Sequence, residues 1–252
     1  LAAEVEARRA RGWRAERLAA AEARALEPAL SDRVAGAMLL PEVGWADGRK
    51  VCAALAAAIR ARGGRVETHR PVRALAIEGG AVRGVETEAG PLAAEAVILA
   101  AGWRFAEVAG LGAAPRGFGM KGVVATLGPG PGTPLVGRLV KGPEGFVLPR
   151  GDGRLIVGVT RETEWEVEGP EAGHVARLLA AAERLAPGVA RLPFLEAVTG
   201  VRPFLEGMSP LAAPAEGVSG LVLTLGHGAD GYLRAPALSE RVADLVTGRN
   251  AG

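Results

Sequence analysis

The feature that most constrains this chain is a change of pattern along it. Helical and strand-like periodicities alternate at both ends, whereas from Gly117 the middle turns to short apolar runs broken by glycine and proline. Residues 2–12 and 19–26 read as helices, and 35–40 as a short strand. Residues 49–62 set Val51, Leu55, Ala58 and Ile59 on one stripe, behind the capping Asp47 and ahead of Gly63 and Gly64. That is an amphipathic helix with a left-handed stop. Residues 65–69 read as a strand, and 72–77 pairs with 82–87 across Glu78, Gly79 and Gly80. The run from Ala96 to Ala100 is unbroken apolar, the pattern of a strand covered on both faces.

In the middle, residues 123–127, 135–140, 145–149 and 155–160 read as strands, and the glycine–proline alternation over 128–132 as a surface turn. A helix over 171–185, strands over 194–201 and 221–225, and a helix over 236–246 follow. The order predicts an α/β (α+β) fold: flanks that fold together, with an antiparallel sheet inserted between them.

With 252 residues, 49% apolar and 23% charged, the chain can bury a core of ordinary size. No apolar run is long enough for a membrane span. The lone Cys52 excludes an internal disulfide or a multi-cysteine metal centre, and His69, His174 and His227 share no ligand spacing, so no metal site is expected. Of the 30 basic residues only Lys50, Lys121 and Lys141 are lysines. The arginines alternate with glutamates instead of forming a stripe, and aromatic residues are 4% of the chain, so nucleic acid is not the expected partner. Asn250 is the one asparagine and glutamine is absent, which fits either selection against thermolabile amides or a GC-rich codon bias.

Two stretches match G-x-G-x-x-G. The first, Gly117 to Gly122, leads into a strand, the wrong context for a phosphate loop. The second, Gly226-His227-Gly228-Ala229-Asp230-Gly231, stands between an apolar strand and a helix, where backbone amides and the helix dipole favour an electron-rich ligand atom. A dinucleotide fingerprint needs a further strand and an acid about 20 residues on. That point here is the glycine-flanked tail at 248–252. Arg202, between the strand at 197–201 and Pro203, is a planar two-donor group suited to a carboxylate. Lys121 and Arg150 read as solvated surface residues, His174 as exposed and Cys52 as core.

Several stretches together carry a resemblance: Val97 to Gly102, Phe146 to Arg150, Gly153 to Val159, Gly200 to Pro203, and Leu225 to Pro236. In this order and spacing they resemble the glycine oxidase branch of the D-amino-acid oxidase family, FAD-dependent enzymes that oxidise amines. The likeness runs over nearly the whole chain, as the C-terminal two thirds of such an enzyme. It implies an incomplete Rossmann-like FAD-binding domain (residues 41–116 and 198–252, without its N-terminal βαβ unit) and an inserted antiparallel-sheet substrate domain (residues 1–40 and 117–197). By the same resemblance Val72 contacts the adenine end of FAD, and Ala101 and Gly102 line the cofactor. His227, Gly228, Ala229, Asp230, Gly231, Tyr232 and Leu233 hold the flavin ring. Arg202 anchors a substrate carboxylate. The implied reaction is oxidation of the CH–NH bond of a small amine or amino acid by hydride transfer to flavin, in a cytoplasmic protein of the kind linked to thiamine biosynthesis.

Three departures from the family pattern stand out. Phe146 replaces an active-site tyrosine, and Ala229-Asp230 replaces an arginine–asparagine pair, removing donors from the carboxylate site. The strand–glycine-loop–helix that grips the FAD pyrophosphate has no counterpart, so the 252-residue chain on its own is expected to bind FAD weakly or not at all. It is also expected to self-associate as a homo-oligomer or pair with a completing N-terminal segment. The alternative is a non-catalytic remnant, a scaffold or subunit without its own FAD-binding half.

Overall fold

The computed structural model describes residues 1–112, 115–130, 134–207 and 209–249. In chain order the first elements are α1 (Ala2–Arg9), β1 (Glu16–Ala19), α2 (Ala20–Leu26), β2 (Gly36–Leu39) and α3 (Gly48–Ala61). There follow β3 (Val72–Glu78), β4 (Ala81–Thr87), β5 (Leu92–Ala93), β6 (Val97–Leu99) and β7 (Gly117–Leu127). Then come β8 (Val140–Gly142), β9 (Gly145–Pro149), β10 (Leu155–Gly158) and α4 (Ala172–Leu185). The last are β11 (Phe194–Leu205), β12 (Leu211–Pro214), β13 (Leu221–Leu225) and α5 (Gly231–Thr247). The fold is mixed α/β, with largely antiparallel sheets.

The chain forms two compact units, and the division falls inside β7 and β11. The unit of Leu1–Trp45 and Lys121–Gly200 is built on a five-stranded sheet in the order β11-β7-β10-β9-β8. β10 runs antiparallel to both β7 and β9. One face of this sheet carries Val123, Ala125, Leu127, Val147, Leu155 and Val157, and α4 covers it with Leu178 and Ala182. Each such large side chain contributes about 1.5–3 kcal/mol by leaving water. A ribbon of β1 and β2 completes the unit, in the register Glu16↔Leu39 to Ala19↔Gly36.

The unit of Ala46–Met120 and Val201–Gly252 holds two three-stranded sheets, β3-β4-β5 and β12-β13-β6. β13 is antiparallel to β12 and parallel to β6. Leu75, Val82, Leu99, Phe105, Leu221, Leu223 and Leu225 form its core. Val242 of α5 packs with Ala212 and Val222 on β12 and β13.

Several expectations need correction. Residues 65–69 form no strand; His69 takes a left-handed φ of 58° and the segment finds no ladder partner. Residues 135–139 are irregular, and the strand there begins at Val140. β6 is not covered on both faces: it sits at the end of its sheet and Ile98 is 46% exposed. α3 forms as its pattern requires, with Asp47 accepting from the Lys50 amide, yet it buries none of its residues. Cys52 is accordingly exposed, not core. Pro203, taken as a strand boundary, lies inside β11, tolerated because β11 is a sheet edge where a missing N–H breaks no inner ladder. Positions 131 and 132 of the glycine–proline turn and 250–252 of the tail lie outside the described residues. Among the described residues no helix is long and apolar enough to cross a membrane.

Candidate functional site

β13 ends in the turn that the second glycine pattern marks. Gly226 and Gly228 have φ of 73° and 57°, open to glycine without strain. Packing makes the same demand. A Cβ on Gly226 would stand 2.5 Å from Leu205 Cγ, and one on Gly228 would stand 2.7 Å from the Phe204 ring. The turn is thus pressed against the last residues of β11. A short 3-10 turn, Gly228–Asp230, then leads directly into α5, which begins at Gly231, five residues before Pro236.

His227 is fixed at this turn by a 2.7 Å hydrogen bond between its Nε2 and the Thr224 hydroxyl. Its Nδ1 is buried with no hydrogen-bond partner. Burial, and after it the charge of Arg234, hold its pKa below the ordinary histidine value. Asp230 lies 3.9 Å from Arg234. Tyr232 and Leu233 point outward, 56% and 74% exposed. The Tyr232 hydroxyl meets Cys52 Sγ at 3.6 Å, and that contact with burial raises the phenol's pKa. Tyr232 also explains Gly48 at the start of α3, where a Cβ would come within 2.5 Å of the hydroxyl.

The second feature lies at the end of β6. A cavity of about 480 Å³ is lined by Val72, Val97, Ile98, Ala101, Arg104 and other residues of β3, β4 and the 3-10 turn Gly102–Glu107. Val72 and Ala101, named separately from the sequence, share this one cavity. Gly102 adjoins it with φ of 60° and nothing within 4 Å of where its Cβ would be, so the backbone there is open to close approach. Arg104 pairs with Glu107 at 2.9 Å and stacks over Trp103 at 4.3 Å.

Arg202 and Phe204 are two apart on β11 and share a face of the strand. Phe204 stacks on Phe118 with ring centres 5.5 Å apart. The strand that carries Arg202 and the 226–231 turn are therefore brought together within one unit. The first glycine pattern resolves as packing: Gly117 faces Phe105 and Gly119 faces Val201, both closer than a Cβ allows, with Trp103 in tight contact beside Gly119. Phe146 lies in the other unit, on β9 opposite Gly158, whose missing side chain makes room for its ring. Arg150 stacks over Trp45 at 4.5 Å.

The sequence reading missed a buried ionic cluster. Lys121, expected on the surface, is 0% exposed. Its ammonium donates to Glu171 Oε2 at 2.6 Å and to the Val167 carbonyl at 3.0 Å, and it faces Glu162 Oε2 at 2.9 Å. His174, expected to be exposed, places Nδ1 3.2 Å from Glu171 Oε2 and 3.4 Å from Glu162 Oε2. The hydrogen bond to Glu171 raises the Lys121 pKa against the opposing effect of burial, and the same bond lowers that of Glu171. The one local signal was the Glu171-x-x-His174 spacing at a helix start, which puts two ligand-type side chains one turn apart.

Comparison with known proteins decides the family. The profile of the DAO family, described as FAD dependent oxidoreductase, matches residues 1–245. The chain belongs to this family. It is 30% identical over 235 residues to a glycine oxidase of Bacillus licheniformis, covering 92% of this chain and 63% of the relative. It is 32% identical over 225 residues to the bifunctional protein ThiO/ThiG of a Synechocystis strain, covering 87% of this chain and 33% of that protein. The crystal structure of glycine oxidase from Geobacillus kaustophilus superposes with a TM-score of 0.90 at 28% identity, over 97% of this chain and 66% of that one. The DAO-family fold is thus this chain's fold, and the chain spans between a third and just under two thirds of these curated relatives' lengths.

The family's cofactor is FAD. The open backbone at Gly102, the cavity it adjoins and the orphaned Nδ1 of His227 fit a polar, partly planar ligand.

Proposed function

We propose that this chain is the cofactor-end and substrate-sheet portion of an FAD-dependent oxidoreductase that oxidises the CH–NH bond of a small amine or amino acid, in the manner of glycine oxidase. In this reading the unit containing residues 46–120 and 201–252 belongs to the FAD-binding domain, and the other to the substrate domain. The packing of β11 on the 226–231 turn carries the reading, because it sets a carboxylate-binding type of side chain, Arg202, on a strand abutting a glycine turn at a helix start.

Val72, Ala101 and Gly102 would hold the adenosine end of FAD through backbone groups, and residues 227–233 would hold the ring end. FAD, when bound, supplies the acceptor for the hydride that leaves the substrate's α-carbon. The chain's residues orient and polarise. Arg202 offers two parallel donors to a carboxylate and so fixes which carbon faces the cofactor. The start of α5 and the amides of the turn favour negative charge next to it. In the unit that holds Arg202, Asp230 adds an acid to the turn, which reduces anion binding there and points to an amine substrate whose carboxylate is less tightly held than in the family pattern. Phe146, in the other unit, has an apolar ring where the family pattern has a tyrosine.

Surface chemistry supports a completing segment or a second copy as partner. Leu55 and Ile59 on α3 and Ile98 at the β6 edge are 59%, 46% and 46% exposed, and an apolar helix face and an open parallel edge both gain by being covered. A second reading, a non-catalytic remnant, is favoured by Phe146 and Asp230 alone. Joining this chain to the part of the Geobacillus kaustophilus glycine oxidase it does not match, and reconstituting with FAD, separates the two. The oxidoreductase reading expects a yellow protein that consumes a small amine or amino acid. A flavin-loaded protein inert towards glycine, sarcosine and D-amino acids favours the remnant.

A further inference from the structure

One hydrogen bond at the 226–231 turn leaves a polar atom over. Thr224, near the end of β13, sets its hydroxyl 2.7 Å from His227 Nε2, and Nδ1 of the same ring is buried with no hydrogen-bond partner among the described residues. Burying an imidazole nitrogen unpaired costs stability, so such an atom marks a place where a partner from outside the chain is gained. Which nitrogen carries the ring proton is set by the partner of the other. Among the described residues the Thr224 side chain hydrogen-bonds to His227 alone. If Nε2 carried the proton, the hydroxyl would accept it and its own proton would find no acceptor in the chain. With Nε2 bare, the hydroxyl donates to it and the ring proton sits on Nδ1. Burial, and after it the charge of Arg234, lower the ring's pKa, so at neutral pH only one nitrogen is protonated.

We propose that Thr224 is a positioning residue: by donating to His227 Nε2 it holds the ring's proton on Nδ1 and presents that N–H as a hydrogen-bond donor to an electron-rich atom of the flavin ring. This role rests on the reading of residues 227–233 as the ring end of the FAD site. The backbone that carries the imidazole is fixed on both sides, since Gly226 and Gly228 press on Leu205 and Phe204. Thr224 then fixes the ring itself. With the proton on Nε2 instead, Nδ1 would offer a lone pair and repel a ring carbonyl. The hydroxyl three residues upstream therefore decides whether the turn meets a hydrogen-bond acceptor or a donor. Serine at 224 keeps that hydroxyl, whereas valine keeps threonine's branched shape and strand preference without it.

The test reads the ring directly, by nitrogen-15 NMR of the 252-residue chain at neutral pH, with the His227 signals identified as those that His227→Gln removes. The native chain is expected to carry the proton on Nδ1. Thr224→Ser is expected to keep it there, and Thr224→Val to shift most of it to Nε2. The second arm uses the FAD-loaded protein made by joining the chain to the unmatched part of the glycine oxidase relative. There the Nδ1 proton signal is expected to move downfield, as a proton that gains an acceptor does. Thr224→Val is expected to weaken FAD binding about 3–10-fold, the loss of one hydrogen bond, and Thr224→Ser to stay within about twofold of native. A native ring protonated on Nε2, or a proton that stays on Nδ1 in Thr224→Val, overturns the proposal whatever FAD does. FAD binding that leaves the Nδ1 proton unmoved overturns the proposal and spares the cofactor reading. A folded joined protein that takes up no flavin overturns both.

Discussion

Gly228 shows how much a single position decides. Its φ of 57° and the Phe204 ring 2.7 Å from a would-be Cβ make two independent demands for glycine. Gly228→Ala should lower unfolding free energy by roughly 1–3 kcal/mol in urea titration, through overpacking and left-handed strain together; an unchanged midpoint would show that the turn is not pressed on β11. His227 gives a pH signature at the same turn. Its folded pKa is lowered by burial, so folding favours the neutral ring. As pH falls through the ordinary histidine range, the unfolded chain takes up a proton first and stability is lost, down to the lowered folded value. Comparing native protein with His227→Gln between pH 7 and pH 5 should show the steeper loss in the native protein. Arg202 is tested by kinetics: in the FAD-loaded joined protein, Arg202→Met should raise KM about 10–100-fold with a smaller change in kcat, from the 1–3 kcal/mol of a charged hydrogen bond. An equal fall in kcat with KM unchanged would contradict a carboxylate-anchoring role.

Among elements, the β3–β4 hairpin was legible because its information is local. Alternating apolar residues flank two glycines, and the register Glu78↔Ala81 leaves Gly79 and Gly80, both at positive φ, as the whole turn. Gly79→Asn should therefore be tolerated within a few tenths of a kcal/mol, whereas Gly79→Val should cost about 1–2 kcal/mol in thermal unfolding. α4 and β13 were legible for the same reason. The Lys121 cluster was not, because its partners at 162 and 171 are 41 and 50 residues away and only the folded sheet brings them to one place. Residues 65–69 have a strand's composition, but composition supplies no ladder partner. α3 and β6 were read correctly as elements and wrongly as covered ones, since periodicity reports which face is apolar and not what lies against it. Leu155→Ala, at 2% exposure in the sheet core, should cost about 2–5 kcal/mol, while Leu55→Ala on α3 should change stability by less than about 0.5 kcal/mol.

For the whole molecule, the proposed FAD site has residues for the two ends of the cofactor and, among the described residues, no glycine loop in strand-to-helix context suited to the pyrophosphate between them. Neither G-x-G-x-x-G match supplies it: Gly117 and Gly119 of β7 are packed against Phe105 and Val201, and Gly226 and Gly228 against Leu205 and Phe204 of β11. A phosphate pair without backbone donors loses the contacts that hold it most strongly. The most direct measurement is a titration of FAD, followed by flavin fluorescence, into the 252-residue chain alone and into the chain joined to the unmatched part of the glycine oxidase relative. The account predicts no stoichiometric binding at low micromolar FAD for the chain alone and one tightly bound FAD for the joined protein. Stoichiometric low-micromolar binding by the chain alone, or a joined protein that folds and stays colourless, would contradict it.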